Sequence, residues 1–213
     1  MSEISQATGE RLNAVLREAR LEALDPTLAG CFGDYCALLE RWNARTNLTA
    51  IRDEEGILSL HFAESIACAR ALPAGIGTLL DFGSGAGFPG IPIALCRPEI
   101  AVTLAESQGK KAAFLREAVR TLGLPTAVHS GRAELLQIRF DCVTLRAVDR
   151  MGDAVEAARE LVADGGWLAL MTTQAEVERF CKSSGEELLW LEPIPLPGSE
   201  KRLLALAQTE RGR

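Results

Sequence analysis

The hydrophobic positions of the first seventy residues recur at helical spacing. A second helix is predicted to begin at Asp25 and Pro26, because aspartate caps a helix start and proline suits the first turn. The acids that begin at Asp53 predict a third helix, which continues to Leu72. The pattern therefore predicts an N-terminal helical region over residues 1–73. The first predicted helix has an apolar stripe at positions i, i+3, i+4 and i+7, formed by Leu12, Val15, Leu16 and Ala19.

From Gly77 onward, short apolar runs alternate with amphipathic helical segments. Such alternation predicts an α/β fold in which a parallel sheet carries helices on both faces. We assign residues 74–213 to this second domain. The predicted strands are 78–82, 101–105, 126–129, 142–148 and 167–171, and the predicted helices between and after them are 108–122, 153–162 and 175–182.

The C-terminal end departs from this alternation. Residues 188–196 and 202–207 both resemble strands, and only five residues separate them. A parallel crossover needs a longer connection, so these two strands are predicted to pair antiparallel. The whole pattern therefore predicts a seven-stranded mixed sheet that ends in an antiparallel hairpin.

A glycine-rich turn follows the first predicted strand. Gly83, Gly85 and Gly87 alternate after the apolar run and allow the backbone to turn sharply and approach a ligand closely. Pro89 then stands where a helix would begin. A strand, a glycine turn and a helix together predict a nucleotide-type cofactor site at the carboxyl edge of a parallel sheet.

Two features narrow the class of cofactor. The dinucleotide fingerprint requires a third small residue where this chain has Phe88. Glu106 ends the second predicted strand, where a carboxylate can accept hydrogen bonds from two ribose hydroxyls. These features and the terminal hairpin favour S-adenosylmethionine, which has no pyrophosphate, over a nicotinamide dinucleotide. A nicotinamide-dependent oxidoreductase on a related fold remains an alternative interpretation.

The composition limits the binding partners and the cellular compartment that we expect for this protein. The net charge of −6 is unfavourable for a protein that binds bare nucleic acid, because phosphate contacts come from lysine and arginine. Two groups of cations, at residues 41–52 and 110–120, are interpreted as solvated helix faces. The six cysteines show no metal-binding or disulfide spacing and are expected to be free, buried thiols. The free thiols and the lack of a signal peptide or membrane span predict a cytoplasmic protein. The chain is also expected to be a monomer.

These residues resemble the GidB/RsmG family of bacterial methyltransferases, which modify a guanine of small-subunit ribosomal RNA at N7. The resemblance runs in order from about residue 40 to about residue 150, and more thinly beyond. The segments that carry it are Asn47-Leu48-Thr49, His61-Phe62-Ala63-Glu64-Ser65, the run from Asp81 to Pro92, Arg97-Pro98-Glu99, Glu106-Ser107-x-Gly109-Lys110-Lys111, Phe114-Leu115-Arg116 and Arg146-Ala147.

The resemblance implies a class I, Rossmann-like methyltransferase and a set of cofactor contacts. Gly83 and Phe88 match the loop that holds the methionine part of S-adenosylmethionine, and Glu106 matches the ribose acid. Ala133 and Glu134 match the pair beside the adenine. Arg146 matches an arginine that faces the reaction centre, and it is our predicted catalytic residue. The predicted donor-binding residues are Gly83, Gly85, Gly87, Phe88, Glu106, Ala133, Glu134 and Arg146.

The implied chemistry demands little of side chains. Guanine N7 already carries an acceptor lone pair, so it can take up a methyl group without losing a proton. Alignment and exclusion of water are then sufficient, and the absence of an obvious general base is expected. No metal site is predicted. The implied partner is 16S ribosomal RNA within the small ribosomal subunit.

Several positions are interpreted as structural or depart from the family pattern. His61 is assigned to packing, and Asn47 and Thr49 to turns that attach the helical region to the sheet. The family usually has a lysine near Thr172 and a basic residue where this chain has Leu60. The absence of basic side chains at these two positions predicts a lower affinity for RNA. It leaves a second alternative, a non-catalytic ribosome-binding module with a vestigial donor pocket.

Overall fold

The N-terminal region is helical, as its periodicity predicts. Helix α1 spans Glu3–Glu18 and helix α2 spans Pro26–Asn43. The carboxylate of Asp25 accepts hydrogen bonds from the backbone N–H groups of Thr27 and Leu28, which confirms the predicted start of the second helix. The computed structural model describes residues 2–147, 151–183, 188–199 and 201–210.

The predicted third helix changes its winding in the middle. After α3 (Glu54–Gly56), residues Ile57–Ala63 form a π-helix, and α4 continues over Glu64–Ala71. Asp53 caps the start through a 2.7 Å bond from the N–H of Gly56. The predicted third helix is therefore confirmed, but its change of winding was not predicted, because hydrophobic spacing does not separate a short π segment from an α-helix. Such π segments frequently accompany functional sites.

A mixed sheet follows the helical region. Strands β1 to β5 pair in parallel, and β8 pairs antiparallel with β5, β6 and β7. The order across the sheet is β3-β2-β1-β4-β5-β8-β6, with β7 also on β8. The strands are β1 (Thr78–Phe82), β2 (Ala101–Glu106), β3 (Ala127–Ser130), β4 (Phe140–Arg146), β5 (Val162–Thr173), β6 (Leu188–Trp190), β7 (Ile194–Pro195) and β8 (Arg202–Thr209).

The helices between the strands complete the α/β pattern. Their predicted positions are confirmed with one correction: the helix predicted over 153–162 ends at Arg159, and Val162 opens β5. The strand predicted over 142–148 is present but ends at Arg146, because Ala147 has a left-handed φ of +47°, and Val148 lies outside the described residues. The helices are α5 (Gly90–Cys96), α6 (Gly109–Thr121), α7 (Met151–Arg159) and α8 (Gln174–Ser183), with a short 3-10 helix at Ala133–Leu135.

The C-terminal hairpin is present, but its first strand is broken. Within the described residues, the run predicted over 188–196 forms two short strands, β6 and β7, which pair with β8 in registers that differ by one residue. For this reason the sheet formed by the described residues contains eight strands, whereas the sequence predicted seven. Pro195, which has no N–H to donate, stands at the end of the second segment, where a regular ladder could not continue.

The sheet separates two apolar layers. One face packs against the helical region, where Tyr35 and Phe62 share a core with Leu79 and Leu104. The other face packs against α7 and α8 through residues such as Val155 and Phe180. The helical region therefore contributes directly to the core beneath one face of the sheet. The division of the chain into domains at residue 74 stays a prediction.

Candidate functional site

A cavity of about 560 Å³ opens at the carboxyl edge of the sheet, where the strand order reverses between β1 and β4. Its wall includes the glycine turn and the ends of β2 and β4, and it also includes Leu48, Thr49 and His61 of the helical region. Seven of the eight predicted donor-binding residues line it, namely Gly83, Gly85, Phe88, Glu106, Ala133, Glu134 and Arg146. The structure thus brings together residues that are up to 63 positions apart in the sequence.

Gly87 is the predicted residue that the wall does not include. Its φ is +92°, and an added Cβ would lie 2.5 Å from Ile91 Cδ1 and 2.6 Å from the hydroxyl of Tyr35. The requirement for glycine here comes from packing behind the turn. Gly85 differs, because its φ of +57° is also left-handed but the nearest atom to an added Cβ lies 3.9 Å away.

Glu106 lies in the part of the cavity wall that is predicted to bind S-adenosylmethionine, which we call the donor end. One carboxylate oxygen accepts a 2.9 Å bond from the N–H of Gly85, and the other accepts a 2.7 Å bond from the N–H of Gln108. The carboxylate is buried, and an ionised carboxylate offers about four lone-pair positions, so acceptor capacity remains for two ligand hydroxyls. This arrangement fits the ribose of a nucleoside cofactor.

The predicted adenine pair lies on the short 3-10 helix. Ala133 is buried and Glu134 is exposed, and both line the cavity. The nearest guanidinium nitrogen of Arg132 lies 4.0 Å from a carboxylate oxygen of Glu134. The carboxylate of Glu134 therefore remains accessible to a polar ligand edge.

Two buried residues behind the glycine turn were not predicted from the sequence. Tyr35 of α2 donates its hydroxyl hydrogen to the carbonyl of Ala86 within the turn. Asp81 accepts a 2.9 Å bond from the hydroxyl of Thr144 and a 3.2 Å bond from the N–H of Gly90. Burial raises the pKa of Asp81 to about 6, although these hydrogen bonds oppose the increase.

Arg146 lines the cavity, but its guanidinium is engaged by the helical region. It donates to the carbonyl of Leu60, to Glu64 Oε2 at 2.9 Å and to Ser65 Oγ at 3.4 Å. Its Cζ also lies 5.8 Å from the ring centroid of Phe88. Desolvation lowers the pKa of Arg146 to about 10, so the group is still charged at neutral pH. The role of Arg146 in catalysis stays a prediction.

Glu64 is the counter-ion that sequence reasoning missed. It is fully buried, and its Oε2 lies 2.9 Å from Arg146 and 3.2 Å from Arg202. Its Oε1 has no hydrogen-bond partner among the described residues. Burial raises the pKa of Glu64, and the two guanidinium groups oppose that increase. A signal was present, because Glu64 stands inside a segment that carries the family resemblance.

His61 has a larger part in the cavity than its predicted packing role. Its ring stacks on Phe88 with centroids 4.5 Å apart, and its Nε2 lies 2.8 Å from the hydroxyl of Thr49. Its Nδ1 is buried and has no partner among the residues that the structure describes. Burial, with repulsion from Arg146 and Arg202, lowers the pKa of His61 to about 3. The imidazole is therefore neutral at physiological pH.

The two positions that depart from the family pattern have local roles. Thr172 is buried and donates a 2.6 Å bond to Glu176 at the start of α8. Leu60 contributes its backbone carbonyl to Arg146. Asn47 accepts a 2.7 Å bond from Arg52, which places both residues in one exposed turn. Neither Thr172 nor Leu60 lies in the cavity wall formed by the described residues.

Other sequence expectations are only partly met. All six cysteines are free, but Cys181 is exposed and Cys31 and Cys96 are half-buried, so the prediction that the thiols are buried was wrong for these three. The described residues contain no cluster of three or more side chains suited to a metal ion. Within the same residues, every helix is too short or too polar to cross a membrane.

Solved structures with this architecture include two proteins of low sequence identity. A cofactor-bound protein from MTB is 17% identical with a TM-score of 0.64, and the match covers 93% of this chain and 96% of that one. A SAM-dependent methyltransferase from Aquifex aeolicus is 16% identical with a TM-score of 0.58, and the match covers 72% and 93%. The class I methyltransferase fold predicted from the sequence is confirmed.

Sequence relatives are much closer. A protein of Roseiflexus sp. (strain RS-1) is 40% identical over 82% of this chain and 80% of its own length. Another, of Stenotrophomonas maltophilia (strain K279a), is 41% identical over 82% of this chain and 84% of its own length. Both are named ribosomal RNA small subunit methyltransferase G. The profile of the GidB family, described as rRNA small subunit methyltransferase G, matches residues 30–197, and the chain therefore belongs to the GidB family.

Proposed function

We propose that this protein transfers a methyl group from S-adenosylmethionine to N7 of one guanine in 16S ribosomal RNA, acting in the cytoplasm as a monomer. The observation that carries the proposal is the closure of the glycine turn onto Glu106 through the 2.9 Å bond from Gly85, in a chain of this family. Relatives that share about 40% of the sequence are named for methylation of small-subunit ribosomal RNA.

The residues present fit the donor. Glu106 has acceptor capacity for the two ribose hydroxyls, and Ala133 and Glu134, which line the same cavity, would read the edge of the adenine. Gly83 and Phe88 would hold the methionine part. The cavity of about 560 Å³ is within the range of roughly 300–1,000 Å³ that is usual for sites of such ligands.

When bound, S-adenosylmethionine supplies an electrophilic methyl group, which guanine N7 takes up with its lone pair while the electron pair of the broken carbon–sulfur bond stays on sulfur. No proton has to be removed from N7, so the protein needs no general base for this step. The contribution of this chain is then orientation and exclusion of water. His61, neutral at physiological pH, places no proton-donating cation beside the acceptor nitrogen.

The alternatives receive less support. The antiparallel hairpin and Phe88, in place of the third small residue of the dinucleotide fingerprint, argue against a nicotinamide-dependent oxidoreductase. A non-catalytic ribosome-binding module is supported by Thr172, which stands where the family usually has a lysine. The complete donor end of the cavity favours the enzyme.

Methyl transfer tests the proposal directly. Small ribosomal subunits without the modification are incubated with the protein and S-adenosylmethionine labelled in the methyl group, and the nucleosides are identified by mass spectrometry. The expected product is 7-methylguanosine, and naked 16S RNA serves as the parallel substrate. Label on another nucleoside would overturn the assignment to guanine N7. Binding of the donor without label on either substrate would favour the binding module.

A further inference from the structure

The end of the cavity beside Phe88 has an unusual charge arrangement. Two guanidinium groups, of Arg146 and Arg202, meet at one carboxylate oxygen of Glu64. His61 stacks on Phe88 at the same end and is uncharged. We call this end, defined by Thr49, His61, Phe88 and Arg146, the acceptor end, since Glu106 occupies the other end of the cavity.

Methyl transfer to N7 conserves one positive charge within the cavity. The donor sulfur carries it before the reaction, and the methylated guanine carries it afterwards. A nearby cation without a counter-ion would oppose both states through Coulomb repulsion, which is weakly screened in a buried site. Arg146 lines the cavity and is 8% exposed, so its charge would act strongly there without Glu64.

We propose that Glu64 is a positioning residue that neutralises Arg146 and holds it against the helical region, so that the acceptor end can accommodate a base that becomes a cation. This inference rests on the proposed function. The stacked rings of His61 and Phe88 suit such a base, because the outer face of an aromatic ring attracts a cation through the ring quadrupole.

The π-helix makes this arrangement possible. Leu60 lies within it, Glu64 and Ser65 begin α4 directly after it, and all three accept hydrogen bonds from Arg146. A regular α-helix would rotate these acceptors relative to one another. The unpartnered Oε1 of buried Glu64 has an energetic cost, since a buried acceptor without a hydrogen bond is destabilising. The ion pairs of its other oxygen, Oε2, with Arg146 and Arg202 compensate the buried charge.

The first test needs no RNA. Dissociation constants are measured by calorimetry for S-adenosylmethionine, which is positively charged at sulfur, and for S-adenosylhomocysteine, which is not. Glu64→Gln keeps the shape but removes the charge, and we expect it to weaken binding of the charged ligand relative to the neutral one by about tenfold, the order for one unit charge at roughly 10 Å. Arg202→Gln is the matched variant, because it removes a positive charge from the same carboxylate. We expect it to shift the ratio in the opposite direction.

The second test measures single-turnover methyl transfer at saturating small subunits. We expect the rate to fall about tenfold or more in Glu64→Gln and not to fall in Arg202→Gln. A purely structural ion-pair cluster would predict losses in both variants, with equal weakening of the two ligands. An additional Arg146→Gln change should abolish the effect of Glu64→Gln if Glu64 acts through Arg146.

The outcomes separate this inference from the proposed function. A ligand ratio unchanged in both variants would overturn the role of Glu64, even if 7-methylguanosine forms. The expected shifts in ratio without methylation of any RNA would support the charge role and overturn the proposed function. If Glu64→Gln does not fold, the Arg202→Gln variant alone tests the inference. A ligand ratio that shifts towards tighter binding of the charged ligand supports the inference, and an unchanged ratio overturns it.

Discussion

The two ends of the cavity are built in different ways. At the donor end, Gly85 and Glu106 are 21 positions apart, in the turn after β1 and at the end of the neighbouring parallel strand β2, and the contact runs from backbone to side chain. At the acceptor end, Arg146 contacts Glu64 across 82 positions, and the contact is a buried ion pair between a strand and a helix of the N-terminal region. The contact between Gly85 and Glu106 is therefore local to one βαβ unit, while the acceptor end exists only when the helical region is packed on the sheet.

Because of this difference, we expect mutations at the two ends to affect ligand binding and stability differently. At the donor end, an added Cβ at Gly85 has open space around it, so a change at this position should affect ligand binding more than folding. The acceptor end depends on charges that are buried together, and loss of one partner leaves the other uncompensated. Binding and stability should accordingly separate at Gly85 and be coupled at the acceptor end.

The largest expected effect is at the donor end. Gly85→Asp places a second carboxylate beside Glu106 in the cavity, and we expect the affinity for S-adenosylmethionine to fall by more than about a hundredfold, because the new side chain occupies ligand space and the two like charges repel. Gly85→Asn is the matched control, since asparagine also tolerates a left-handed φ and has no charge. Calorimetry would show a much smaller loss for asparagine. Equal affinity of Gly85→Asp and the wild type, with the fold intact, would remove Gly85 from the site.

A smaller effect is expected where the two regions meet. Tyr35→Phe removes the hydrogen bond to the carbonyl of Ala86, leaves that buried acceptor unsatisfied and preserves the aromatic contacts of the ring. We expect a loss of about 1–3 kcal/mol in the free energy of unfolding. We also expect severalfold weaker binding of S-adenosylmethionine, since Ala86 lines the cavity. Denaturation and calorimetry on the same variant check both effects, and an unchanged ligand affinity would show that the helical region does not support the donor end.

The smallest effect is the pH dependence of stability at the acceptor end. The pKa of His61 is about 3 in the folded protein against 6.5 ordinarily, so below pH 6.5 the unfolded chain binds a proton that the folded chain does not. Stability from His61 is therefore full above about pH 6.5 and is lost as the pH falls towards 3. Asp81 has the opposite sign, because its pKa is raised to about 6 and its contribution fades as the pH rises from 3.8.

The variant His61→Phe separates the contribution of His61 to the pH dependence of stability from the opposing contribution of Asp81. Phenylalanine retains a ring to stack on Phe88 but cannot titrate, so the variant should lose less stability than the wild type between pH 7 and pH 5. Urea denaturation at the two pH values measures the difference. Identical losses in both proteins would contradict the low pKa of His61.

Much of the donor end could be predicted from the sequence because its signals are short in range. The alternation of strands and helices, the glycine turn and Glu106 at a strand end all follow from periodicity and spacing. Even there, the sequence did not separate Gly85, which faces the cavity, from Gly87, which makes room for Tyr35 and Ile91. Both are glycines in the same motif, and only the packed neighbours distinguish them.

The sequence by itself determined the α/β class, the order of the elements and the glycine turn, since these depend on local backbone preferences and on the regular burial of side chains. The tertiary structure decided that Tyr35 supports the turn, that the central helix winds as a π-helix, and that Glu64 lies between Arg146 and Arg202. The contacts of Tyr35 and Glu64 join segments 51 to 138 positions apart, and no periodicity connects residues over such distances. The energy of a buried charge depends on which partners surround it, and folding alone brings those partners together.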